Sequence, residues 1–333
     1  MTTEAIAETT AAIEIDTEAI IAKYGGLKIP DVTMIMMAVT VLILVAAIVF
    51  GFVFLSRHYG NFSNGIFIGI IAELAFGYLV YGLITYALTK IPGPAAYFEA
   101  HKTFYSIIQV ILSIICEGLA VFLGMKYLMR LNQKRGIYSE VSAPLTMGLS
   151  MCAASVLVGQ ELTFAVEFIM ISLSVNSIGV ENAVYQMLAS GTEEAVVEST
   201  IMGMVNTSWS AFFWDGISFL LKGLAEISAA VMVYGVCKER LDKKWTLGAF
   251  GVFVLYYLPS LINNAVTLPT WALVIIAMVI TATVVFIAGR LIYAKMPEDW
   301  DSFKRKPVKR RRQQKKEEEE KEKKMPKIVM PDD

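Results

Sequence analysis

Histidine is nearly absent from this 333-residue chain: His58 and His101 are the two present, and none follows residue 101. A catalytic zinc ordinarily takes three protein ligands, dominated by histidine, plus a water. Most of the chain therefore lacks the ligand type on which zinc hydrolysis depends. Cysteine is scarce as well. Cys116, Cys152 and Cys237 lie in or beside apolar stretches without pair spacing, which supports neither a metal knuckle nor a disulfide framework. Charge is thin: 18% of residues are Asp, Glu, Lys or Arg against 56% hydrophobic, with a mean hydropathy of +0.58. That balance excludes a disordered chain, a coiled coil and an ordinary soluble enzyme. Walker A, dinucleotide-binding and G-x-S-x-G motifs are all missing. Asp215 is the single aspartate inside an apolar run, so an aspartyl pair is missing too.

What the chain has is long apolar runs. A hydrocarbon core about 30 Å thick needs roughly 20 apolar residues. Windows 33–55, 65–88, 104–125, 209–236, 246–267 and 271–294 meet that plainly. A seventh, 143–173, would be about 45 Å long as a helix, too long for one straight span. It is expected to tilt, protrude or break, with Gly159-Gln160-Glu161 as the break point. Ser142 can cap its start, and Pro144 fits a first turn. The predicted fold is all-α, a polytopic membrane bundle of about seven transmembrane helices. An acidic segment, 1–32, precedes the span region 33–296, and a charged tail, 297–333, follows it. The acidic start lacks the basic region of a signal peptide, so the first span is expected to remain as an anchor.

Lysine and arginine set the expected orientation. Lys126, Arg130, Lys134 and Arg135 follow span three, and Lys238, Arg240, Lys243 and Lys244 follow span five. Segment 176–208 has neither residue type and carries Glu181, Glu193, Glu194 and Glu198. This places the N-terminus outside and the C-terminus in the cytoplasm of a cell-membrane protein. Loop 89–103, with Lys90 and Lys102, fits less well. Within 176–208, Thr192 followed by two glutamates reads as a helix start, with residues 195–205 forming a short outer helix. A re-entrant hairpin is the alternative.

The tail cannot bury enough apolar surface to order itself. Its basic run, Lys304, Arg305, Lys306, Lys309, Arg310, Arg311 and Arg312, reads as a topogenic flank. Contact with anionic lipid headgroups is a second reading, and contact with ribosomal RNA or another acidic partner a third. Without interleaved aromatics, base stacking on nucleic acid is not expected. Other membrane proteins remain candidate partners, and no cofactor or metal is expected.

Ionisable groups inside spans are costly and are functional candidates by default. They are Glu73 in helix two, Glu117 in helix three, Glu161 and Glu167 in helix four, and Asp215, Lys222 and Glu226 in helix five. Asp215, Ser218, Lys222 and Glu226 fall at i, i+3, i+7 and i+11, one helical face, and Lys222 can pair with Glu226. With six acids against one lysine, some carboxyls are neutral or face water. Glu117, Lys222, Glu226, Glu161 and Asn263 are the candidates for lining one polar cavity. Glu73 also reads as a lone helix-contact hydrogen bond, and Asn263-Asn264 with Pro259 as a kink with interhelical hydrogen bonds.

The order of these features resembles the intramembrane metalloprotease superfamily that includes the CAAX prenyl proteases (CPBP), in particular its YhfC-like branch. Glu117 stands where that family's paired acids stand, in a span that ends in Lys126 and Arg130. Residues 147–155 stand at the start of the next span, with 224–231 and 256–263 following. The resemblance covers roughly 104–265. It implies a polytopic fold and a cavity within the membrane. The chain departs from the family in keeping one acid of the pair, no arginine at the motif spacing and no later histidine. The expected function is a non-catalytic relative that binds membrane proteins or lipids in a polar intramembrane cavity, with no catalytic residue. A transporter or channel using intramembrane carboxylates is one alternative, and a still-active protease another.

Overall fold

A computed structural model of the chain describes residues 17–58, 63–137, 140–158, 160–266 and 268–302. Among them the structure is helical, without a strand: α1 (Thr17–Tyr24), α2 (Asp31–His58), α3 (Ser63–Ala72), a π-helical segment (Glu73–Val80), α4 (Tyr81–Lys90), α5 (Pro92–Ala100), α6 (Lys102–Lys134), α7 (Ser142–Val158), α8 (Gln160–Ile178), α9 (Val180–Ala189), α10 (Glu194–Asn206), α11 (Trp209–Cys237), α12 (Trp245–Ala265), α13 (Thr270–Lys295) and α14 (Pro297–Ser302). Seven stretches are long and apolar enough to cross a membrane: Asp31–His58, Asn64–Lys90, Lys102–Lys134, Ser142–Ile178, Phe212–Cys237, Trp245–Asn263 and Thr270–Lys295. The protein is an all-α polytopic bundle. The third helix runs nine residues beyond the expected window, carrying Lys126, Arg130 and Lys134 out as helix rather than as loop. The expected break at Gly159 falls on a residue outside those described.

The chain divides into two units, residues 1–43 with 159–216, and residues 44–158 with 217–333. In the first, α1 packs Ile20 and Tyr24 with Val180, Ala183 and Val184 of α9 and Val197, Ile201 and Met204 of α10 in one apolar cluster. Lys23 pairs with Glu198 at 2.8 Å, an exposed pair worth little by itself. Asn176 acts as a clip: its Oδ1 accepts from the Ile29 amide, and its Nδ2 donates to the Ile29 carbonyl. Segment 176–208 thus holds two helices where one was expected. The start of α10 also differs from expectation. Glu193, in extended conformation, occupies the cap position without a side-chain cap bond, whereas the Thr192 amide closes the preceding turn onto Met187.

The second unit is built by close helix crossings. A Cβ on Gly148 of α7 would lie 2.6 Å from the Ile227 Cα of α11, and one on Gly223 would lie 2.5 Å from the Cys152 Sγ. The two contacts run antiparallel, one turn apart on each helix. Glycine at the crossing lets the two backbones approach more closely than any Cβ permits. Around it Val121, Met125, Met147, Met151, Ala229, Val233 and Phe253 form the apolar core.

Candidate functional site

The crossing of α7 and α11 carries Ser155, Lys222 and Glu226 in adjoining turns, and α6, α12 and the π-helical segment close round them. The Lys222 ammonium donates to Glu73 Oε1 at 3.0 Å and to Ser155 Oγ at 3.0 Å. It lies 3.1 Å from Glu117 Oε1 and 3.5 Å from Glu226 Oε1. The Ser155 hydroxyl donates to Glu73 Oε1 at 2.6 Å, and the Tyr257 hydroxyl to Glu117 Oε1 at 2.6 Å. Glu73, Glu117 and Glu226 are 1%, 5% and 0% exposed. All six groups therefore belong to one dry polar cluster, drawn from five of the apolar stretches, and the residues of the second, third and fifth lie close to the middle of their spans.

Local chain geometry explains how Glu73 enters it. In the π-helical turn the ladder runs to the fifth residue: the Tyr81 amide donates to the Phe76 carbonyl. Residues five apart then share a face, which brings Tyr78 under Glu73. Both engage Ser155, Glu73 at the hydroxyl and Tyr78 by donating to the Ser155 carbonyl at 3.1 Å. Gly77 leaves the space that the carboxyl fills, since a Cβ there would stand 2.8 Å from Glu73 Oε1.

The charge balance is uneven. One ammonium faces three carboxyl groups, so full ionisation would leave two negative charges unmatched in a dry interior, at several kcal/mol each. The hydrogen bonding is also incomplete. No described residue donates a hydrogen bond to Glu73 Oε2, Glu117 Oε2 or either Glu226 oxygen, the 3.5 Å approach of Lys222 to Glu226 being ionic without hydrogen-bond geometry.

The expected candidates divide accordingly. Glu117, Lys222 and Glu226 come together. Asn263 does not: it is exposed, and its Oδ1 accepts from the Leu268 amide just beyond α12, closing that helix end. The Glu161 side chain and the basic run at 304–312 lie outside the described residues. Glu167 and Asp215 are exposed. Glu73, Ser155 and Tyr257 are the members that sequence reasoning left out of the site. For Glu73 the signal was present, a carboxylate mid-span in a chain with a single span lysine to match it.

No family model, curated protein or solved structure matches this chain.

The residues present do not fit the zinc that a metalloprotease ancestry implies. The three glutamates converge on an ammonium, histidine is missing from their surroundings, and no group of three or more His, Cys, Asp or Glu among the described residues is arranged to hold a metal ion. The Tyr257 hydroxyl supports Glu117 against that burial. Tyr257→Phe is expected to lower stability by about 1.5–3 kcal/mol, the range for a hydrogen bond to a charged group. Thermal unfolding of the purified protein in detergent reads this, and an unchanged midpoint would show that Glu117 does not depend on the bond.

Proposed function

We propose that this multi-pass membrane protein is non-catalytic and that it takes up and releases a proton or a small cation at the Lys222 cluster, as the coupling centre of a transporter. The observation that carries this reading is the excess of buried carboxyl over ammonium, with four carboxylate oxygens that accept no hydrogen bond from any described residue. Carboxylates that are buried mid-span and incompletely paired are the groups through which membrane proteins relay protons or bind cations. A purely structural ion pair needs only one partner for Lys222. Descent from the intramembrane metalloproteases, with the buried carboxylates kept and the metal lost, is part of the proposal.

The test is flux. Protein in sealed liposomes containing a pH-sensitive dye should dissipate an imposed proton or cation gradient faster than empty liposomes. Glu73→Gln with Glu117→Gln should reduce that rate at least about tenfold while the protein stays monodisperse, a loss equivalent to about 1.4 kcal/mol in the rate-limiting step. Equal rates for the wild type and empty liposomes across protons, sodium and potassium would sink the reading.

The orientation we infer has the N-terminus outside and the basic ends of α6 and α11 in the cytoplasm. Thr192, in the turn before α10, provides the check. A Thr192→Cys protein in a Cys237→Ser background should react with a membrane-impermeant maleimide from outside intact cells. Reaction only after lysis would reverse the topology.

A further inference from the structure

A second feature of the same unit adjoins the π-helical segment through Ala75 and Phe76. A cavity of about 800 Å³ opens between α3 and α6, within the size range of small-molecule pockets. Its walls are apolar: Phe67, Ile71 and Phe76 on one side, Leu123, Tyr127 and Leu131 on the other. Phe67 and Tyr127 are well exposed, at 67% and 58%. One end is polar and basic. There the Arg135 guanidinium donates to Asn64 Oδ1 at 2.9 Å, and the Asn64 Nδ2 donates to Asn132 Oδ1 at 2.9 Å. Asn132 is buried, so this chain of amides holds Asn64, and Asn64 in turn holds the Arg135 guanidinium, which lines the cavity beside it. No ion pair among the described residues engages Arg135. Lys134 beside it adds a second positive charge.

Dimensions and chemistry then select the occupant. From Leu123 to Arg135 the groove wall is about 18 Å long, over half the hydrocarbon thickness of a bilayer. An apolar trough of that length, ending in a held guanidinium at the end of a span, matches an acyl chain joined to an anionic head. A guanidinium binds phosphate or carboxylate oxygens in pairs, and a zwitterionic choline head brings a cation into the same place. We infer that the groove is a binding site for an anionic phospholipid, with one acyl chain against Phe67, Ile71 and Leu123 and the phosphate on Arg135. The inner end is formed by Ala72, Ala75 and Phe76, which flank Glu73 in sequence, so the lipid lies against the helix that carries one of the cluster's carboxylates.

Native mass spectrometry of the full chain, released from nanodiscs of mixed phosphatidylglycerol and phosphatidylcholine, tests this. The wild type should retain one phosphatidylglycerol about tenfold more often than phosphatidylcholine, the scale of one charge-assisted hydrogen-bonded contact. Arg135→Gln should abolish the preference while some lipid of either kind stays bound. Ala75→Phe, which fills the trough, should reduce retention of both lipids with the basic tail intact. Equal retention of the two lipids by the wild type would overturn the proposal. So would a preference that survives both substitutions, which would assign the lipid to another basic surface. A Phe67→Cys protein that crosslinks to a second copy in the membrane at high yield would also overturn it, because the groove would then be a protein interface.

Discussion

Lys222→Met is expected to cost the protein more stability than any other single side-chain truncation in the second unit. The ammonium lies within 3.5 Å of three carboxylates, and nothing else among the described residues offers them a positive charge. Removing one partner of a buried pair typically costs about 3–5 kcal/mol, because the other is left uncompensated. Here one cation is shared by three carboxyl groups, so the upper end of that range is expected. Glu226→Gln should be far milder, since Glu73 and Glu117 still hold the lysine at 3.0 and 3.1 Å. An isolated Lys222–Glu226 pair predicts the reverse: loss of Glu226 would be severe, and Lys222→Met with Glu226→Leu would restore stability. In the observed cluster that double change still leaves Glu73 and Glu117 without a cation, so it should behave like Lys222→Met. Thermal midpoints by fluorescence-detected size exclusion separate the two. A Lys222→Met protein within about 1 kcal/mol of wild type would show that the cluster carries little of the fold.

The second large effect is expected at Gly148. A methyl group there would collide with the Ile227 backbone, which cannot rotate out of the way as a side-chain end can. Overpacking of that kind costs about 1–3 kcal/mol for small additions, so Gly148→Ala should fall in that range and Gly148→Val above it. The damage should reach the polar cluster too, because moving α11 off α7 draws Lys222 away from Ser155. Gly289→Ala is the control. Gly289 lies inside α13, in its C-terminal half, with open space around the site of its missing Cβ, and alanine is the better helix former by up to about 1 kcal/mol. If Gly148→Ala and Gly289→Ala shifted the midpoint equally, the close crossing would not be the constraint inferred from it.

The seven spans were legible because a hydrocarbon core calls for runs of some 20 predominantly apolar residues, and these runs carry few charges each. The end of the third was not, because Lys126 and Arg130 mark the limit of hydrocarbon whereas a helix continues wherever its backbone bonds do. The helices α1 and α9 escaped for another reason. Each is short, and their apolar faces, Ile20 and Tyr24 in one and Val180, Ala183 and Val184 in the other, become a signal only as partners. Lys222 and Glu226 were legible from a spacing of four, and Glu117 from the cost of its position. That Glu73 joins them depends on which helices are neighbours, and spacing within a helix is silent about that. Asn263 was misread because a polar residue near the end of a helix satisfies loop amides as readily as it faces an interior.

The wide turn at Glu73–Val80 has a consequence for how this span can move. A π-helical turn holds one residue more than an α-helical turn of the same rise. The span therefore stores a surplus residue, and a surplus of that kind can be passed along a helix like a ruck in a carpet, one hydrogen bond at a time. Each step advances the chain between the old and new positions of the ruck by one residue, about 100° of rotation, while both ends stay where the neighbouring helices hold them. Were the ruck to travel toward α3, the residue turned off Lys222 would be Glu73.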